Sequence, residues 1–286
     1  MPPILFLNGI FCPESEAKIS VFDHGFLYGD GVYEAIRIYN GKILFFNEHW
    51  ERLLSSLSSM RIPLPPITER ENNGDEKEKY QKICETLITK NNLQNARIRI
   101  TITRGENHFC FMGSESPTLL IHTAPISPLP EEQYTHGISV CTIPAMRTAP
   151  QIKHTSQISS IVGKQKAEEC GVFEAILTDE TGHFREGSVS NILVISRNEV
   201  WTAPKNTVLP GTMANFVLKI LENNGFHAHQ KNYTEDDILE KGEEVWITNS
   251  IFGILPVREI NGIPQKKEFP VFKRYFGKNF WERYFV

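Results

Sequence analysis

Residues 95–105, Asn-Ala-Arg-Ile-Arg-Ile-Thr-Ile-Thr-Arg-Gly, alternate without a break. Ile98, Ile100 and Ile102 fall on one side. Arg97, Arg99, Thr101 and Thr103 fall on the other, so the stretch reads as a strand with one apolar face. Two arginines on one strand face could grip a carboxylate through a guanidinium fork. A polar, solvent-facing strand explains the pattern equally well. Helical periods stand among the strands. Asn47 is a candidate cap for a helix over 48–60, with Trp50, Leu53, Leu54 and Leu57 on its apolar face. A second helix is expected around 80–90. A third starts near Ile158, with Ile158, Ile161, Val162 and Ala167 inward. A fourth begins at 212, with Met213, Phe216, Val217 and Ile220 inward. Asn8-Gly9 and Asn40-Gly41 mark hairpins. Further strands are read over 118–123, 137–143, 173–179, 184–195, 245–249 and 253–258, and an aromatic helix over 269–285. The fold class is therefore α/β (α+β).

The chain has 286 residues, 40% of them hydrophobic, enough for two medium domains or one large one. The expected division is 1–125, a proline-rich linker at 126–134, and 135–286. A net charge of −4 implies no general basic face, so nucleic acid is not an expected partner. Five scattered cysteines without CxxC spacing suit a reducing compartment. The N-terminus lacks a charged region followed by a long apolar run, and no stretch is long enough to span a membrane. A cytoplasmic setting is expected, and no metal-ligand set is read.

Several residues are candidates for chemistry. Lys153 stands on a polar turn just before the helix at 158. A lysine there could form a Schiff base, though a solvated loop lysine is the common outcome. Gly25, Gly29 and Gly31 punctuate a loop that enters a strand, so no helix N-terminus for phosphate is expected there. Tyr33 and Glu34 are placed at the edge of a site. Arg52 lies beside the apolar face of its helix, where a surface arginine is the simpler reading. Glu186 sits in a polar knot before the apolar strand 192–195, and a carboxylate there needs a buried partner. The amides of Thr212 and Met213 open a helix and make a natural anion site. The charged stretch 65–80 reads as a solvated connection.

Six stretches in order resemble the class IV aminotransferases, the fold type IV pyridoxal-phosphate enzymes. Asp23-His-Gly-Phe-Leu-Tyr-Gly-Asp-Gly-Val-Tyr-Glu-Ala-Ile-Arg37 is similar to the N-terminal signature. Phe46-Asn-Glu-His-Trp-Glu-Arg-Leu53 resembles the helix of the phosphate arginine, here Arg52. Ile152-Lys153 resembles the Schiff-base position, and Arg185-Glu186-Gly187-Ser-Val-Ser-Asn191 the segment whose glutamate meets the pyridine nitrogen. Leu209-Pro-Gly-Thr-Met213 and Ile247-Thr-Asn-Ser-Ile251 resemble the two phosphate-contacting turns.

The resemblance covers about residues 4–262 and implies a smaller N-terminal α/β domain and a larger, barrel-like, cofactor-binding domain. It implies pyridoxal 5'-phosphate in an interdomain cleft, held by Arg52, Lys153, Glu186, Thr212, Met213 and Ser250. It implies Lys153 as the catalytic residue, Tyr33 and Arg99 on the substrate side, and a homodimer. The implied reaction moves an amino group from an amino acid to a 2-oxo acid. Alternatives are an aminodeoxychorismate lyase and a non-catalytic cofactor-binding module. Ser156-Gln157 stands where the family often has Asn-Tyr, and Ala214 where an arginine is frequent. Asn249-Ser250 looks more like the lyases. The Arg-x-His pair of D-amino-acid transaminases is missing after Arg104-Gly105.

Overall fold

A computed structural model describes residues 2–67, 75–107, 116–265, 268–277 and 279–286. Parts of the 65–80 connection and of the loop 104–114 lie outside the described residues. The chain divides into two compact units, Met1–Ser127 with Ile152–Gln157, and Pro128–Gln151 with Ile158–Val286. The six residues around Lys153 thus pack with the first unit, although the sequence reading set them in the second domain.

The first unit runs β1 (Ile4–Leu7), β2 (Ile10–Pro13), α1 (His24–Tyr28), β3 (Gly31–Tyr39), β4 (Lys42–Ile43), α2 (Phe46–Met60), α3 (Glu76–Lys90), β5 (Ala96–Thr103) and β6 (Thr118–Pro125). Its strands form one antiparallel sheet in the order β2-β1-β6-β5-β3-β4. Alternation sends Ile98, Ile100 and Ile102 into a core with Trp50, Leu53 and Leu57 of α2 and Tyr80, Ile83 and Leu87 of α3. Each such burial is worth roughly 1.5–3 kcal/mol. Arg97, Arg99 and Thr101 take the half-buried opposite face. Helix α2 starts before Asn47: Phe45 holds the cap position at φ 56°, without a side-chain bond. The first helical residue, Phe46, is itself buried, so packing rather than capping sets the start. Within the glycine loop, Asp23 caps the short α1 by accepting from the Gly25 amide at 2.7 Å.

The second unit runs α4 (Glu131–Thr135), β7 (Ile138–Pro144), α5 (Ile158–Glu169), β8 (Glu174–Thr178), β9 (Phe184–Gly187), β10 (Asn191–Ser196), β11 (Glu199–Thr202), α6 (Thr212–Glu222), β12 (His227–Gln230), α7 (Glu235–Lys241), β13 (Glu244–Asn249), β14 (Gly253–Ile260), β15 (Ile263–Pro264), α8 (Pro270–Tyr275) and α9 (Phe280–Phe285). The sheet path is β12-β11-β10-β13-β14-β7-β8-β9. A further pairing of β9 with β10, Glu186 opposite Asn191, closes six of these strands into a ring. Closure removes the edges that an open sheet leaves unpaired.

Helix α5 departs from the sequence reading at three of its four expected inward residues; only Ala167 is buried as expected. Ile158, Ile161 and Val162 are exposed, at 68%, 53% and 40%. Its buried residues are Gly163 and Ala167. A Cβ on Gly163 would stand 2.7 Å from the Ser188 Cβ. The small residues let the helix lie close to its neighbours, and the apolar stripe is left outward. In α6, Met213 and Val217 are buried as expected, with Thr212, Ala214 and Leu221. The C-terminal stretch forms two short helices, and Phe272, Phe276 and Phe280 are buried.

Candidate active site

Lys153 is held on the first unit by its backbone. Its carbonyl accepts from the Tyr33 amide at 2.9 Å, and Thr155 donates to the Gly31 carbonyl at 2.8 Å. His154 bridges Val32 in antiparallel sense. The lysine segment is thus a short extra strand along the start of β3. The Lys153 amide also donates to Ser56 Oγ of α2 at 3.3 Å.

Helix α2 carries His49, Arg52 and Ser56 on one face, at steps of three and four. Strand alternation aims Glu34 at that face and Tyr33 at the opposite one. Glu34 takes a two-bond fork from Arg52, Nε at 2.8 Å and Nη2 at 2.7 Å, and meets His49 Nδ1 at 2.6 Å. Glu34 and His49 are buried, and the Arg52 side chain is 9% exposed. Burial pushes the Glu34 carboxyl up, but the charge and hydrogen bonds of Arg52, then His49, outweigh it. The result lies well below the usual carboxylate range. The Arg52 guanidinium is held above its ordinary value: burial lowers it and Glu34 more than compensates. His49 is lowered, first by burial, with Arg52 and Lys153 adding to it. The Glu34 carboxylate and the Arg52 guanidinium therefore balance each other's charge, and burial works against a second positive charge on His49.

On the other face, Tyr33 gathers two cations. The Lys153 Nζ lies 4.5 Å from the Tyr33 ring centroid and the Arg99 Cζ 3.8 Å from it. Arg99 is opposite Ala35 and His122 in the sheet register. Its value is lowered, by burial first, with Arg97 adding.

The second unit holds Glu186, Thr212, Met213 and Ser250. Glu186 Oε1 accepts from Arg147 Nη1 at 3.2 Å, and Oε2 accepts from the Leu209 amide at 3.1 Å. The charged partner of this carboxylate is Arg147, itself half-buried. The Asn191 amide holds the Leu209 carbonyl at 2.8 Å. Three residues on, α6 begins without a side-chain cap, with Gly211 at the cap position. Thr212 Oγ1 and Ser250 Oγ lie 2.8 Å apart. The Met213 side chain is buried, so its amide is what it can offer an anion. Thr248 also keeps a buried hydroxyl with no hydrogen-bond partner among the described residues. Hydroxyls and helix-start amides are the donor set for a phosphate.

Sequence reasoning missed His49, Ser56 and Arg147, and it grouped Glu34 with Tyr33 at the edge of a site, whereas Glu34 turns to the opposite face and meets Arg52. The 49-52-56 spacing on one helix was the available signal for the first two. Arg147 follows β7 in a stretch without periodicity, and nothing in sequence links it to Glu186.

Residues 31–260 match the family model for amino-transferase class IV. The chain belongs to the class IV aminotransferases. It is thus an enzyme of a family that works with pyridoxal phosphate and has the type IV fold. A Bacillus licheniformis D-alanine aminotransferase is 34% identical over 263 residues, 91% of this chain and 88% of that protein. A Methanocaldococcus jannaschii protein, provisionally assigned as a branched-chain-amino-acid aminotransferase, is also 34% identical, over 90% and 88% of the two chains. The Escherichia coli branched-chain amino acid aminotransferase structure superposes with a TM-score of 0.84 at 25% identity, covering 96% of this chain and 92% of that one.

Proposed function

We propose that this class IV aminotransferase moves the amino group of an amino acid to a 2-oxo acid, with Lys153 as the residue that bonds the cofactor. The observation that carries this reading is the Tyr33 ring, contacted by the Lys153 amine at 4.5 Å and the Arg99 guanidinium at 3.8 Å. An amino acid needs an amine near its α-carbon and a cation for its carboxylate, and one ring holds both. The residues fit pyridoxal phosphate: a primary amine for the aldehyde, the cationic Arg52 group with Thr212, Met213 and Ser250 for the phosphate, and a carboxylate, Glu186, for the ring nitrogen. When bound, the cofactor supplies the electron sink that lets the α-carbon lose its proton. Lys153, its amine released once the substrate amine has displaced it, would then take that proton and return it, as general base and acid. Glu34 keeps Arg52 charged and fixes its fork, while Glu186, steadied by Arg147, holds a proton at the ring nitrogen. Arg99 orients the substrate carboxylate.

Arg104 is not available for that last task. Its guanidinium bonds Asp30 at 2.6 and 3.2 Å and the carbonyls of Met60 and Arg61 at 2.9 and 3.2 Å. Asn249, which in sequence leaned toward the lyases, serves its own turn. It accepts from the Ile251 and Phe252 amides at 2.9 Å each and donates to the Val189 carbonyl at 3.2 Å.

Among the described residues no helix is long and apolar enough to cross a membrane. Cys12, Cys84, Cys141 and Cys170 are free thiols, which supports a cytoplasmic setting. We also propose a homodimer. Phe26 at 73% exposure and the outward Ile158 and Ile161 are large apolar side chains that an isolated chain leaves wet. Sedimentation as a 32.7 kDa monomer at micromolar concentration would overturn it.

The activity is tested with purified, cofactor-loaded protein. Borohydride should bleach the visible band and label Lys153. L- or D-amino acids with 2-oxoglutarate should yield glutamate. Labelling at Lys164 or Lys166 would sink the assignment of Lys153. Fast release of 4-aminobenzoate and pyruvate from aminodeoxychorismate, with only trace amino transfer, would replace the reaction.

A further inference from the structure

Glu174, the first residue of β8, is fully buried. Its Oε1 accepts the Ser188 hydroxyl, and its Oε2 accepts the Ser190 hydroxyl at 3.3 Å. Lys164 of α5 lies 3.3 Å from Oε1 and donates to the Phe173 carbonyl at 3.2 Å. One carboxylate therefore holds both serines of the turn 187–190, with an amine from α5 to neutralise it. The turn is tightly wound here. A Cβ on Gly187 would stand 2.0 Å from Ser190 Oγ and 3.3 Å from Glu174 Cγ.

The two ends of this turn carry candidate residues of the second unit. Glu186 precedes it and Asn191 follows it, paired across the seam that closes the ring. Leu209 rests on both: its amide donates to Glu186 Oε2 at 3.1 Å, and its carbonyl accepts from Asn191 Nδ2 at 2.8 Å. The start of α6 follows at Thr212. The shape of 187–190 thus sets the Glu186 carboxylate and the approach to α6 together.

We infer that Glu174 is a positioning residue for the cofactor: through Ser188 and Ser190 it fixes Glu186 for the ring nitrogen and the α6 start for the phosphate. The inference rests on the function proposed above. A turn can close on apolar packing, and a buried carboxylate costs more than that unless every partner is present. What the carboxylate adds is direction. Two hydroxyls on its two oxygens leave the turn one conformation, and a group that must meet a ligand is oriented from behind by such partners. Lys164, named above as a labelling outcome that would displace Lys153, has its amine in this clamp.

The test uses the full chain with Glu174→Gln, the double variant Ser188→Ala/Ser190→Ala, and Ser190→Ala alone. Three quantities are read: the pyridoxal phosphate dissociation constant of the apo protein, the pH midpoint of the bound cofactor's visible band, and hydrogen exchange of the Leu209 amide in the apo protein. Glu174→Gln and the double variant should weaken cofactor binding on the order of tenfold, shift the midpoint, and speed Leu209 exchange. Ser190→Ala, which removes one bond of the clamp, should show the same pattern at lower amplitude even if the other two fail to fold. Unchanged affinity, midpoint and exchange in a folded variant, with only a lower melting temperature, would reduce Glu174 to a structural residue. A wild-type protein that takes up no pyridoxal phosphate would instead overturn the proposed function and this role with it.

Discussion

Glu34 in the first unit and Glu244 in the second are both buried carboxylates with three hydrogen bonds each. Glu34 meets a guanidinium fork and an imidazole. Glu244 meets the Val271 and Phe272 amides at the start of α8, at 2.7 and 3.0 Å, and the Trp246 indole at 3.0 Å. Burial raises both, but only Glu34 has a full charge to outweigh it. Glu34 ends below the ordinary carboxylate value and Glu244 above it. Neutral dipoles satisfy lone pairs without repaying the loss of water around an anion; a paired cation does. The first unit thus sets its candidate residues with charge. The second leans more on amides and hydroxyls, with Glu186–Arg147 and Glu174–Lys164 as charged pairs.

Removing Glu34 should break this contrast hardest. Glu34→Ala leaves Arg52 buried without its carboxylate, a loss of about 3–5 kcal/mol in stability. Urea unfolding of the apo protein should show it, and affinity for pyridoxal phosphate should fall as Arg52 loses its aim. A loss under about 1 kcal/mol would mean the fork is solvated in solution. Glu244→Gln removes no ion pair, so a smaller cost of about 1–3 kcal/mol is expected, from the acceptor lost to α8. It should leave cofactor affinity alone. Equal costs at the two sites would erase the distinction.

The sign of the pH dependence sharpens it further. A depressed carboxylate such as Glu34 gives stability that is present above its unfolded value of about 4.3 and fades as pH falls toward the folded value. The gap between wild type and Glu34→Gln should therefore hold at neutral pH and narrow below about pH 4. Glu244 runs the other way. Its raised value makes the protonated form the better one, so its contribution is lost as pH rises through the folded value. Glu244→Gln should gain on wild type as pH climbs from about 4. Parallel curves for the two variants would refute the assignment of opposite shifts.

Sequence alone reached the family because its signal lies in residue types kept in order: the glycine loop, Arg52, Lys153, Glu186 and Leu209-Pro-Gly-Thr-Met213. It did not reach Arg147 or the seam at Glu186 and Asn191, since strand pairing across a ring is set by register and not by local pattern. The outward turn of α5 has the same origin. Periodicity says which residues share a face, and here Gly163 and Ala167 win the interior by being small enough for close approach. The backing of Arg52 by Glu34 was hidden too. In sequence they are 18 apart, and alternation shows only that Glu34 and Tyr33 part company, not what each one meets.

The smallest effect belongs to the hydroxyl pair of the second unit. Thr212 Oγ1 and Ser250 Oγ are 2.8 Å apart and both neutral, so their bond is worth about 0.5–1.5 kcal/mol. Thr212→Val leaves Ser250 without that partner, and Ser250→Ala does the same to Thr212. Each single variant should lose about 1 kcal/mol of apo stability. Thr212→Val/Ser250→Ala removes both halves of the bond and should lose less than the two single losses added together. Phosphate affinity should behave differently. Both hydroxyls are assigned to that anion, so each deletion should weaken pyridoxal phosphate binding by itself, and the double variant should bind worst. Stability that is less than additive, alongside affinity that keeps falling, is the pattern expected of a pair that bonds within itself until an anion draws both hydroxyls to it. Affinity that stays level across all three variants would leave the pair a tie between α6 and the turn at 250 and nothing more.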